Sequence, residues 1–218
     1  MPTDTSLAVE TARHAWRRRV LRVGGIIQGC FAVFWFARGG LALGNPFGTA
    51  LAVVLGGGAL VALVLGIRAT AGLAPRPTGA DAKRLERSIT IATVIELVAA
   101  FVLPAIVIAV GRSDLTLPSI AITIGPLLLW IDHVLHSTRY RVVGWALTIG
   151  PVVLAIALSG TALVVTTGLT AGALLLFSAV SGFIHLAREG DPPTGRGTGR
   201  AANGSTATPR RSRLRARS

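Results

Sequence analysis

Glu96 is the residue whose type and position most invite chemistry. It is the only Asp, Glu, Lys or Arg between 88 and 110. If a membrane helix begins near 88, Glu96 lies roughly 12 Å inside it at 1.5 Å per residue. An acid at that depth costs about 2.5–3.5 kcal/mol to insert and marks a functional position by default. The chemistry on offer is proton or cation binding. The structural alternative is a neutral or paired carboxyl that holds helices together. Arg38 is the natural counter-charge, standing alone among charged residues in 23–43. It is placed ~9 Å further along a parallel helix, where it reaches either Glu96 or, as the expected state, the headgroups by snorkelling. Gln28 is the third intramembrane polar candidate, poised beside Gly25 and Gly29 to hydrogen-bond across a helix interface.

A second group gathers Asp132, His133, His136 and His185. Asp132 and His136 share a helical face, and His133 lies three residues from His136. Carboxylate and imidazole at such spacing bind zinc or relay protons. A metal centre needs a more defined ligand set than this, so these four are weak metal candidates. Headgroup contact and helix capping are their expected roles, with no metal and no cofactor. No paired carboxylates within the membrane, phosphate-cradling glycine loop followed by lysine, or nucleophile elbow is present, so enzyme chemistry is not expected. Hydroxyls such as Thr166, Thr167 and Thr170 are expected to bond their own helix backbone.

The elements that must carry these residues are apolar and long. The chain is 51% hydrophobic and 14% charged, against about 25% charged in ordinary soluble domains. Neither 39–67 nor 142–187 contains a single Asp, Glu, Lys or Arg. A soluble fold has no use for such runs, whereas a bilayer requires roughly 20 apolar residues per crossing. Continuous rather than alternating hydrophobicity excludes a barrel, and backbone groups in lipid are then satisfied only as helix. Six spans are predicted, at 23–43, 49–67, 88–110, 115–135, 142–158 and 162–186, giving an all-α integral membrane bundle across 23–187. Turns fall at Gly44-Asn45-Pro46, 74–79, Arg112-Ser113-Asp114 and Ser159-Gly160-Thr161.

Charge placement sets the expected orientation. With six spans, every basic residue except Arg38 and Arg112 falls on one side. By the positive-inside rule that side is the cytoplasm, with both termini in it and the protein in the cell membrane. The net charge of +13 therefore reads as topogenic rather than as a nucleic-acid footprint. Its expected partners are the lipid bilayer and anionic headgroups along the basic segments, with a homo-oligomer as a further expectation and no nucleic acid. Residues 1–22 are expected to form a cytoplasmic segment, with a short interfacial helix that sets Trp16 at headgroup level. Arg17-Arg18-Arg19 and Ile27-Gln28-Gly29-Cys30 imitate export signals, but the apolar run before Cys30 is too short for one. Residues 188–218, rich in Pro, Gly, Thr and Arg, are expected to be a disordered basic tail.

Pro104, Pro126 and Pro151 fall within spans, where each removes a backbone hydrogen bond. Gly25/Gly29, Gly168/Gly172 and Ser178/Gly182, together with Gly56-Gly57-Gly58, are expected to let helices approach closely. Lys83 is the sole lysine among 22 basic residues, a bias that fits a GC-rich bacterial genome. The segment Ile124-Gly125-Pro126-Leu127-Leu128-Leu129 through His136, followed by Arg139-Tyr140-Arg141 and Gly144, resembles a group of small bacterial, actinobacterial-type, multi-pass membrane proteins. That resemblance implies a multi-pass architecture and no particular activity. The functional expectation is a non-enzymatic structural or accessory membrane protein. The alternative is a small transporter or channel, proton-coupled through Glu96.

Overall fold

The computed structural model describes residues 4–73 and 80–189. All regular structure among them is helical: α1 (Asp4–Leu41), α2 (Pro46–Ala69), α3 (Ala80–Ala109), a 3-10 turn (Ser113–Leu115), α4 (Thr116–Leu135), α5 (Thr138–Ala157) and α6 (Gly160–Glu189). Six of these helices are long and apolar enough to cross a membrane. The fold is thus the expected all-α bundle of six spans. Arg188 and Glu189, expected to open the tail, still belong to α6; the rest of the expected tail, 190–218, and the 74–79 connector lie outside the described residues.

The connections follow from local chemistry. Asn45 caps α2, its side-chain oxygen accepting from the Gly48 N–H at 2.8 Å, and Pro46 supplies a preset first-turn φ. Gly44 turns the chain with φ +63°. α4 ends where His136 adopts the left-handed conformation, φ 51°. At the far end of the bundle, the Gly160 N–H opening α6 donates to Asp114 at 3.4 Å, tying two connectors together. The described chain begins and ends at the same end of the bundle, where Arg17 of α1 meets His185 of α6.

The first helix departs from expectation. α1 is one helix of 38 residues, about 57 Å long, with no break near residue 22. Trp16 is buried with Val20, and Ile89 and Ile131 pack against the pair, so the indole is packed among helices rather than exposed on a separate surface helix. Arginine is a good helix former. The cluster Arg17–Arg19 lowers hydropathy without ending the helix.

α1 and α6 form the spine of the bundle. Trp35, Phe36, Ala171 and Leu175 share one core cluster with Tyr140, Val143 and Leu147 of α5 and Leu117, Ala121, Ile124 and Leu128 of α4. Small residues let the two spine helices approach. A Cβ on Gly168 would stand 2.6 Å from the Gly39 Cα. Gly25 and Gly29 make room for Phe183 and Leu63 in the same way. Gly57 and Gly58 do not: they are exposed, with nothing within 4 Å of where a Cβ would be. The expectation that they mediate close packing is corrected, because only Gly56 of that triplet points into the bundle.

α3 is held differently from the other five helices. It packs chiefly on α4, and only 6% of its most apolar window is buried, against 44% for α4 and for α6. Val94, Ile95, Val98 and Phe101 accordingly face outward. α3, α4 and α5 each run through their proline without interruption.

Candidate functional site

The weak attachment of α3 leaves a cavity of about 400 Å³ between α1, α3 and α4. Its lining is mostly aliphatic and aromatic, with Ile27 and Phe31 on α1, Leu97 on α3 and Ile124 on α4. Tyr140 and Leu175 close it from behind. Two of the intramembrane polar candidates, Glu96 and Gln28, line this same cavity from opposite helices. Glu96 is half-buried and makes no hydrogen bond or ion pair among the described residues. Gln28 is 5% exposed, and its Oε1 is buried with no partner. Among the described residues the expected Gln28 hydrogen bond across a helix interface is therefore not formed. Thr90 and Thr93, on the α3 side, bond their own backbone at Glu86 and Ile89.

Arg38 does not join them. It is exposed in the last turn of α1 and outside the cavity lining. The Arg38–Glu96 bridge is absent, and the exposed position suits the snorkelling alternative. The other lone arginine of that side, Arg112, binds Asp114 at 3.1 Å. This hydrogen bond, and then the carboxylate's charge, hold the guanidinium above its already high ordinary value.

The Asp132 and histidine group is dispersed into separate contacts. Asp132 is buried and accepts from Arg141 Nε at 2.8 Å. His185 lies 3.0 Å from an Arg17 nitrogen and 2.9 Å from Glu189. The His133 ring leans on Trp130, centroids 6.3 Å apart, and His136 caps α4. Among the described residues no three His, Cys, Asp or Glu side chains are grouped as a metal centre. Two of these pairs had a sequence signal, whereas Arg17–His185 had none. Asp132 and Arg141 stand symmetrically about the His136-Ser137 turn of an antiparallel hairpin, and His185 and Glu189 are four residues apart on one helix.

Thr167 corrects a further expectation. It is buried, and its hydroxyl has no partner among the described residues, whereas Ser119, Thr123 and Thr148 do bond their own helix backbone. Near the Arg17–His185 contact, Arg139 lies over the Tyr140 ring at 4.7 Å, a cation–π pair that hydropathy reading does not reveal.

Fold and site together define a six-helix bundle of membrane-spanning proportions with an apolar side cavity. The chain matches no protein-family model, no curated protein and no solved structure.

Proposed function

We infer that this is a non-enzymatic, structural or accessory protein of the cell membrane, with both termini in the cytoplasm. The observation that carries the reading is how its ionisable groups are used at the end of the bundle where Arg17 of α1 meets His185 of α6. Asp132 is engaged by Arg141, and His185 by Arg17 and Glu189. The Asp132–Arg141 contact ties α4 to α5, and the Arg17–His185 contact ties α1 to α6. Arginine at that end also fits anionic headgroups, and the outward apolar faces of all six helices fit a lipid bilayer. The orientation rests on the distribution of arginine.

A second reading has one specific observation in its favour. Glu96 and Gln28 line a common cavity, as a site in a small proton-coupled transporter would require. Proton flux into proteoliposomes separates the two. The accessory reading expects equal, background flux from wild type and Glu96→Gln. Flux above background that Glu96→Gln abolishes would replace it with the transport reading.

A further inference from the structure

We propose that the cavity between α1, α3 and α4 is a binding site for a lipophilic amine, its ammonium group held between Glu96 and Gln28 and its apolar body lodged in the rest of the cleft. The inference goes beyond both readings above, since an accessory protein and a transporter would each be served by such a site.

Size comes first. About 400 Å³ lies within the range of sites that enclose small organic ligands, roughly 300–1,000 Å³. Place comes second. Gln28 and Glu96 each fall near the middle of their spans, His14–Leu41 and Glu86–Ala109, and both line the cavity, so it holds two polar side chains at comparable depth. α1 and α3 meet where Ile89 packs on Trp16 and Val20, and the cavity extends from there past Ile27 and Phe31.

Chemistry then selects the ligand. The Gln28 Oε1 acceptor is buried and unpartnered, which costs about 1–3 kcal/mol unless a donor arrives. Glu96 adds a carboxyl with no ion-pair partner among the described residues. Arg19 and Glu86, of opposite sign, also line the cavity. A fatty acid would bring a second carboxyl to Glu96. An alcohol would satisfy Gln28 and leave the carboxyl uncompensated. An ammonium supplies several N–H donors and the missing charge, while an alkyl or aryl body matches Ile27, Phe31, Leu97 and Ile124.

The test uses the full chain in lipid nanodiscs with tritiated dodecylamine as the probe. Saturable binding is expected, displaced by unlabelled dodecylamine at least tenfold more effectively than by dodecanol. Glu96→Gln and Gln28→Leu should each weaken binding by tenfold or more. Equal displacement by the alcohol, equal affinity in both variants, or no saturable binding would each overturn the proposal. The comparison of amine with alcohol on wild type needs no variant, so it decides the matter even where Glu96→Gln fails to fold.

Discussion

Arg141 Nε donates to Asp132 Oδ2 at 2.8 Å across the turn between α4 and α5, joining an exposed guanidinium to a buried carboxylate. The two side chains are 57% and 9% exposed. That asymmetry predicts unequal effects of mutation. Solvent around Arg141 limits the worth of the pair itself to under about 1 kcal/mol. Removing the arginine costs more, about 1–3 kcal/mol, because a buried acceptor loses its donor. Thermal unfolding in one detergent should therefore rank Arg141→Ala as clearly destabilised and Asp132→Asn as near wild type, since the amide oxygen still accepts. The Asp132→Ala/Arg141→Ala double variant should recover part of the loss. Asparagine as damaging as the arginine deletion would mean that charge, not hydrogen bonding, holds the hairpin.

His136 is a turn residue, and the prediction for it follows from its backbone. Its φ of 51° and ψ of 50° favour glycine, the usual occupant of a left-handed helix end. Its N–H also closes α4 by donating to the Asp132 carbonyl at 2.6 Å. His136→Gly should keep that bond, relieve the side-chain penalty and raise stability by about 0.5–1 kcal/mol. Zinc should leave the melting temperature of wild type unchanged. A zinc-dependent rise that His133→Ala/His136→Ala removes would restore the metal reading.

The six spans were legible because hydrocarbon imposes both a length and a composition, and each apolar run is flanked by arginine or a turn signal. The start of α1 was not. Hydropathy averages Arg17–Arg19 with Trp16, Val20 and Leu21 and loses the face those three bury. Glu96 was legible as a lone acid, and Gln28 as a lone amide. That they line one cavity depends on α3 leaning on α4 and away from α1, a matter of tertiary packing that no local pattern encodes. Gly57 and Gly58 were misread for a related reason. A small residue permits close approach but does not say which face of the helix receives a neighbour.

Arg38 and Glu96 are separate in the bundle, so their charges should not be coupled. Arg38→Glu should be tolerated at the exposed end of α1, with expression in membranes near wild type. Glu96→Arg would put a permanent cation against Leu97 and Ile124 and should lower expression severalfold. Combining the two should give the product of the single effects. Rescue of Glu96→Arg by Arg38→Glu would reveal a bridge that the geometry does not contain.

The glycines give the sharpest contrast between packing and composition. A Cβ at Gly168 would lie 2.6 Å from the Gly39 Cα and 3.0 Å from the Trp35 carbonyl oxygen. Both obstacles are backbone, so α1 and α6 must separate to admit the methyl group, at the roughly 1–3 kcal/mol typical of an overpacked core. At Gly172 the obstacle is the Phe36 ring, 2.8 Å away, and a ring can turn where a backbone cannot. Gly172→Ala should accordingly cost less than Gly168→Ala. Gly57→Ala meets nothing within 4 Å and gains helix propensity, so it should be neutral or stabilising by up to about 1 kcal/mol. The order Gly168, Gly172, Gly57 is thus fixed by which atoms stand opposite each glycine, although all three are glycines inside apolar helices. Unfolding midpoints of the three alanine variants in a common detergent would test it. Equal losses at 168 and 57 would contradict the close α1–α6 approach on which the spine of the bundle depends.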